Sequence, residues 1–333
     1  MSSLHQRIER AWYRRNPGIL YLAWPLEAFY RSVSTLRRLW LKKRAIPQLT
    51  PVIVVGNISV GGTGKTPLVI ALVHWLQAQG YKPGVVSRGY GGQASHYPFT
   101  VTRNSSADDA GDEPLLIARE AGCPVVVGPD RVAALGKLER DFACNIVVSD
   151  DGLQHYALKR DIEIVVVDGA RGLGNGHCLP VGPLREPGWR LNTADILVVN
   201  GEAEHEFGRS AHTMLLEPRR LVNIKTGEKM AVSELPPAVH AVAGIGNPRR
   251  FFTTLIELGL RPITHSFVDH HQYTAEDIEF GDSLPVIMTE KDAVKCAGFA
   301  SDKHWYLPVT AALPAAFFMA LESKINLLNE EDR

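Results

Sequence analysis

Nothing in this 333-residue sequence approaches the ~18 consecutive apolar residues of a membrane-spanning helix, and charges interrupt every apolar run near the N-terminus. Neither a transmembrane span nor a secretory leader is expected. Cysteine is scarce: Cys123, Cys144, Cys178 and Cys296 lie far apart and form no C-x-x-C pair. That spacing argues against a disulfide scaffold and against a zinc site, and points to a reducing compartment. An excess of either charge is also missing, since 36 Lys and Arg balance 36 Asp and Glu. With 45% hydrophobic and 22% charged residues, the composition is that of neither a disordered chain nor a fibre. At ~150 residues per domain, the length predicts two domains.

The charge balance is not local. Residues 1–50 hold ten Lys and Arg against Glu9 and Glu27 alone, so the rest of the chain is acidic by the same amount. Within this basic stretch Leu22, Leu26, Phe29, Val33, Leu36 and Trp40 recur at helical steps, while Arg31, Arg37, Arg38, Lys42 and Lys43 occupy the other faces. Seven of the 26 aromatic residues fall in the first 40 positions, where such rings suit a lipid headgroup boundary. Residues 1–45 are read as an amphipathic helical segment lying on an anionic membrane surface. Packing of the stripe on the protein's own core is the competing reading. No nucleic-acid motif accompanies the basic residues, so nucleic acid is not an expected partner.

The most informative stretch is Ser59-Val60-Gly61-Gly62-Thr63-Gly64-Lys65-Thr66, between the apolar run Val52–Val55 and a helical pattern opening at Thr66. Strand, glycine-rich loop and helix in that order make a phosphate cradle: backbone N–H groups turn inward and the helix N-terminus adds positive potential. Lys65 would reach the β- and γ-phosphates, and Thr66 would ligate Mg²⁺. Ser59 departs from the usual pattern, standing where the first glycine is normal.

From residue 50 onward, six apolar runs (52–55, 84–87, 125–127, 146–148, 164–167 and 196–199) alternate with helical patterns such as Leu68, Leu72 and Trp75. This predicts a P-loop-type, mostly parallel α/β sheet with helices on both faces, whose functional residues collect after the strand ends. Four such loops stand out. Asp150 and Asp151 close an apolar strand, as the Mg²⁺-holding aspartate of such proteins does, with His155 one turn further; one carboxylate is expected at the metal and the other on a partner group. Arg88 and Tyr90 lie in Ser87-Arg-Gly-Tyr-Gly-Gly92, where a guanidinium could fork a phosphate and a ring could stack on a sugar. Asp112 opens a helix, either as its cap or as the orienter of a base. Arg185 and Glu186 close the long Gly/Pro-rich loop 172–187, a cation for the transferring phosphoryl group beside a carboxylate for metal or sugar hydroxyls.

Beyond residue 213 the texture changes. Short strand patterns over 214–232 followed by Pro236-Pro237 read as a β-strand hinge, residues 214–235, which separates the P-loop domain at 46–213 from a smaller α/β domain at 236–333. In that domain Asp269-His270-His271 is the best base candidate, since an imidazole with an aspartate in reach can accept a hydroxyl proton near neutral pH. Thr289-Glu-Lys-Asp292 has the form of a capping box, with Lys291 and Asp292 available for ligand contact or domain closure. Gly244-Ile-Gly246 lacks the third glycine of a dinucleotide fingerprint.

Taken in order, Gly56-Asn57, Val60–Pro67, Ser87–Gly91, Gly111–Pro114, Asp150–His155, Gly182–Glu186, Asp269-His270 and Met288–Lys295 resemble the tetraacyldisaccharide 4'-kinase family over nearly the whole chain. The displaced first glycine is that family's habit too. The resemblance implies ATP- and Mg²⁺-dependent phosphorylation of the 4'-hydroxyl of an acylated disaccharide 1-phosphate in lipid A biosynthesis, at the cytoplasmic face of the inner membrane, with no obligate protein partner evident. It implies a dyad of Asp112 and His270, with metal service by Asp150, Asp151 and Glu186. Lys65 and Arg185 would neutralise the transferring group, and Arg88, Tyr90 and His155 would face the lipid-bearing sugar. A partitioning-type ATPase is the rival enzyme class, weakened because Val60 stands where its loop carries lysine. A nucleotide-binding membrane adaptor would leave the Asp-His segment without a purpose.

Overall fold

The computed structural model describes residues 4–331; the outermost residues of the expected terminal segments, 1–3 and 332–333, lie outside them. Two helices come first, α1 (Leu4–Trp12) and α2 (Trp24–Lys42), joined by a 3-10 turn over Gly18–Ala23. Six strands form at the six apolar runs: β1 (Val52–Gly56), β2 (Pro83–Ser87), β4 (Val125–Val127), β5 (Ile146–Ser149), β6 (Ile162–Asp168) and β7 (Ile196–Asn200). All six are buried at every position, which is why they read as continuous apolar runs rather than alternating ones. Each pairs in parallel with its neighbours, and β3 (Phe99–Val101) adds an antiparallel edge on β4.

Helices α3 (Lys65–Ala78), α4 (Ala107–Ala110), α5 (Asp112–Glu120) and α6 (Arg131–Phe142) fill the crossovers. The period of two along β1 separates the faces. Ile53 and Val55 pack with α3 and α5, whereas Val52 and Val54 pack with Ala134, Leu135 and Leu138 of α6. Asp130 starts α6 by accepting from the backbone N–H of Val132 and Ala133.

The stretch expected to act as a hinge divides between two sheets. Strand β8 (His212–Pro218) adds in parallel to β7, while β9 (Leu221–Asn223) and β10 (Lys229–Met230) open a second sheet with β11 (Ala238–Ala243), β12 (Arg261–Ser266), β13 (Val286–Thr289) and β14 (His304–Leu307). That sheet runs β10-β9-β14-β13-β11-β12 and is covered by α7 (Pro248–Glu257) and α8 (Glu290–Cys296). The chain then crosses back: β15 (Val309–Ala312) pairs antiparallel with β8, and α9 (Ala315–Glu331) lays Phe317, Leu321 and Ile325 into the core beside α3. The larger sheet is therefore β15-β8-β7-β6-β1-β5-β2-β4-β3. The residues expected to complete the smaller domain include a strand and a helix of the larger one. At the crossing, the two connections run side by side, with Arg219 N donating to Pro308 O at 2.9 Å.

Strand β12 is a half-exposed edge strand and carries no apolar block to mark it in the sequence. The N-terminal stripe faces outward. Leu22, Leu26, Phe29, Val33, Leu36 and Trp40 are between 46% and 81% exposed, so they do not pack on the protein's own core. Among the described residues no helix is long and apolar enough to cross a membrane.

Candidate active site

Between β1 and α3 the glycine-rich loop turns left-handed at Gly61 (φ 102°) and Gly64 (φ 88°), where a side chain would be strained. Position 59 makes no such demand. Ser59 forms an antiparallel bridge with Leu184, flanked by Val60 N donating to Pro183 O at 2.8 Å and Arg185 N donating to Ile58 O at 2.6 Å. Serine suits that extended, paired backbone, which explains the departure from glycine. The loop is pinned from the end of β7, where Asn200 Nδ2 donates to Thr63 O at 3.0 Å and stands where a side chain on Gly64 would have to go.

Asp150, at the end of β5, is wholly buried. Its Oδ2 accepts from Ser87 Oγ at 3.0 Å, but Oδ1 has no partner. Burial first, then the nearby carboxylates of Glu113 and Asp151, push its pKa up to about 7. Asp151 points elsewhere: from a left-handed backbone (φ 46°) it meets Lys65 Nζ at 3.3 Å and Arg185 Nη1 at 3.3 Å. Burial opposes its charge, yet Lys65, Arg185 and Arg131 together hold its carboxyl well below the ordinary range. Glu186 is nearly buried, and both its oxygens are engaged: Gln154 Nε2 donates to one at 3.0 Å and Tyr156 OH to the other at 2.5 Å, with Arg190 Nε 3.4 Å away. These bonds make Glu186 an anchor for its loop and leave neither oxygen without a donor, unlike Asp150.

The two sheets meet at Asp112 and His270. Asp112 is the first residue of α5 and does not cap it from outside; its Oδ1 accepts from Glu113 N at 2.9 Å. Its Oδ2 lies 3.1 Å from His270 Nδ1, contributed by the loop after β12 with a left-handed backbone (φ 61°). Non-glycine residues in that region cost energy and collect at functional sites, and of the three such residues described, two are Asp151 and His270. Burial disfavours the imidazolium, but the Asp112 bond together with the negative charges of Asp112 and Asp269 outweighs it, and the net shift of His270 is upward. Asp112 shifts downward: burial opposes, and the His270 bond and Lys291 prevail. Lys291 Nζ spans this junction, 2.9 Å from Glu113, 3.2 Å from Asp269 and 3.4 Å from His270 Nε2. His271 instead meets Asp277 at 3.2 Å within its own loop.

Tyr90 is exposed with its ring 4.8 Å from that of His270, so it stands at the mouth of the pair. Arg88 is exposed on the same loop. His155 sits apart from the dyad; burial and then Arg131 push its pKa down to about 4, and its Nε2 has no partner. A cavity of about 1650 Å³ opens between the glycine-rich loop and the second sheet, walled by Asn200, Asn247, Arg250 and Lys291. The far wall is close: a side chain on Gly246 would fall 2.1 Å from Gly62 N.

Three contributors escaped the sequence reading. Asn200 and Asp168 each end an apolar strand in a polar residue, a signal that was present. Arg250, which donates to Asn200 O at 2.8 Å and meets Asp168 at 3.5 Å, lies in the first turn of α7 and carries no local signal.

A parallel sheet with its glycine-rich loop between β1 and α3 is the architecture of a P-loop nucleotide-binding protein. Comparison with known proteins narrows the class. Residues 19–326 match the family described as "Tetraacyldisaccharide-1-P 4'-kinase", and the chain belongs to that family of kinases. It is 51% identical to the tetraacyldisaccharide 4'-kinase of Alcanivorax borkumensis, over 94% of this chain and 95% of that one. It is 49% identical to that of Azotobacter vinelandii, over 95% of each. Among solved structures, LpxK of Aquifex aeolicus in complex with ATP superposes with a TM-score of 0.75 at 28% identity, over 92% of this chain and 98% of that one.

Proposed function

We propose that this protein transfers the γ-phosphoryl group of ATP to the 4'-hydroxyl of an acylated glucosamine disaccharide 1-phosphate, a step of lipid A biosynthesis. The contact that carries the reading is Asp112 Oδ2 to His270 Nδ1, 3.1 Å, because it brings a base from one sheet to the other beside the glycine-rich loop. With Nδ1–H donated to Asp112, His270 Nε2 is free to accept the hydroxyl proton, and the carboxylate stabilises the imidazolium that results. The hydroxyl takes the place at Nε2 now faced by Lys291. Lys65 and Arg185, both drawn in by Asp151, are held where negative charge collects on the transferring group. The new bond is from the 4'-oxygen to phosphorus; ADP leaves, and the proton stays on His270. Approach of the second sheet, with Gly246 against Gly62, supports exclusion of water from the cavity.

A Mg²⁺ ion fits the residues present. Asp150 offers a fixed, buried carboxylate oxygen without a partner, and its raised pKa marks the want of a countercharge. Thr66 and Asp150 would hold the ion, with Asp151 behind them, and few protein ligands are usual for this metal. Bound there, it would neutralise charge on the phosphate oxygens. Tyr90 and Arg88 are placed to receive the sugar. The outward stripe of α2 supports peripheral docking on the cytoplasmic face of the inner membrane, since pulling acyl chains into water costs ~0.8 kcal/mol per CH₂.

The test is incubation of the pure protein with labelled ATP, Mg²⁺ and acylated disaccharide 1-phosphate in mixed micelles. Label is expected at the 4'-position. ATP hydrolysis with no label on the lipid would sink the reading.

A further inference from the structure

The stripe of α2 leaves the helix's other face unexplained, and that face is built into the phosphate site. Glu27 is 1% exposed although its neighbour Leu26 is turned outward. Its carboxylate receives Cys178 N at 2.9 Å and meets His177 Nδ1 at 2.8 Å. One turn on, Tyr30 OH donates to the backbone carbonyl of Arg185 at 2.8 Å, while Phe29 beside it faces out. The helix therefore grips both ends of the segment 177–185. The opposite edge of that same segment pairs with the approach to the glycine-rich loop, through Pro183 O to Val60 N and Arg185 N to Ile58 O. Arg185 itself sends its guanidinium to Asp151, which also holds Lys65.

We infer that α2 is a wall of the catalytic site as well as its bilayer contact, and that Tyr30 and Glu27 are positioning residues that set the place of Arg185. Neither touches the reacting atoms. A bond to the Arg185 carbonyl fixes the backbone from which the guanidinium is aimed, and a misplacement of ~1 Å in such a group can cost up to ~100-fold in rate. The geometry also makes one rigid body of the surface that enters the bilayer and the loop that flanks the phosphates, so seating of the helix is mechanically tied to Arg185. This rests on the role proposed above for Arg185.

Tyr30→Phe removes only the hydroxyl and is the variant of choice; Glu27→Gln is the second, because it retains an acceptor for Cys178 N. Transfer kinetics in mixed micelles, co-sedimentation with anionic vesicles, and Tm are measured for each, together with Arg185→Ala and the double variant Tyr30→Phe/Arg185→Ala. For Tyr30→Phe the expected result is a fall in kcat of about tenfold, with KM for ATP, vesicle binding and Tm unchanged. Because Tyr30 acts through Arg185, the double variant should be no slower than Arg185→Ala alone. Multiplied losses in the double variant, or a kcat within about twofold of native for both Tyr30→Phe and Glu27→Gln, would overturn the inference and leave the kinase reading standing. An Arg185→Ala enzyme of normal kcat would instead remove Arg185 from the mechanism, and the inference with it.

Discussion

Replacing Asp112 by asparagine should harm the enzyme more than replacing it by alanine, and the reason lies in how its two oxygens are used. Oδ1 accepts from Glu113 N at 2.9 Å and Oδ2 faces His270 Nδ1 at 3.1 Å. An asparagine will keep its oxygen on Glu113 N, since the amide nitrogen cannot accept that bond. Its NH₂ then points at Nδ1, which must become an acceptor, and the imidazole proton moves to Nε2. The nitrogen that should take the hydroxyl proton is thereby blocked. Alanine removes the charge without imposing the wrong tautomer. Loss of a charge-assisted hydrogen bond of ~1.5–3 kcal/mol corresponds to roughly 10- to 150-fold in kcat for Asp112→Ala. A forced tautomer in an imidazole–carboxylate pair has cost up to ~10⁴-fold elsewhere, so Asp112→Asn should fall between those limits and beyond alanine.

The assay is transfer of labelled phosphate to the lipid acceptor as a function of pH. As the proposed base, His270 must be neutral to act, so kcat should rise with pH through a value above the ordinary 6.5, because Asp112 and Asp269 favour the imidazolium over the opposition of burial. With alanine at 112, burial and Lys291 remain, and the rising limb should move to lower pH. An asparagine variant faster than the alanine variant would refute the tautomer argument. Near-normal rates in both would remove the dyad.

Other measurements bear on other parts of the site. The affinity for Mg²⁺ should rise with pH through about 7 as Asp150 gives up its proton, and Asp150→Asn should abolish that dependence, read from metal titrations of ATP turnover; an unchanged pH dependence in the variant would place the metal elsewhere. Gly246→Ala would set a methyl 2.1 Å from Gly62 N, so the second sheet should no longer close on the loop; transfer should drop by about tenfold or more at unchanged Tm, and a normal rate would mean that this close approach is dispensable. Leu22→Ser with Phe29→Ser removes two side chains that are 81% and 70% exposed. Each is worth ~1.5–3 kcal/mol when buried, so co-sedimentation with anionic vesicles should weaken by at least about tenfold, and undiminished binding would assign the stripe to another partner.

How much of this was legible depended on whether a residue's role was written in its neighbours. The six central strands were, because burial on both faces leaves a block of valine and isoleucine that no charge interrupts. Strand β12 was not, since an edge strand half in water has no such block. Lys65, Asp150 and Asp151 were visible as strand-end and loop chemistry, and the structure brings all three together. Arg250 was invisible: it acts by bridging the ends of β6 and β7 from another sheet, and nothing within ten residues encodes that distance. Asp112 shows the intermediate case. Its local pattern is that of a helix start, which it is, and only the fold reveals that the second oxygen points across to His270. The return of the chain to the first sheet was equally hidden, because β15 and α9 resemble ordinary C-terminal elements until β8 is seen to lack a neighbour.

That return has a consequence for how the molecule is made. Strand β8 is complete by residue 218, but its partner β15 begins only at Val309, so during synthesis β8 stays an open edge while the whole second sheet is being assembled. An unpaired edge of seven residues is a template for wrong partners, and the delay is built into the order of the chain. The last helix also seals the face of α3 with Phe317, Leu321 and Ile325, so the body that carries the phosphate loop is finished last, although most of it is synthesised first. A chain ending shortly after residue 308 would keep every residue assigned to the chemistry and still be expected to aggregate. Native-gel or light-scattering analysis of such a truncation, which should show more association than the full chain, would tell whether the ribosome must hand over the end of this protein before its beginning is safe.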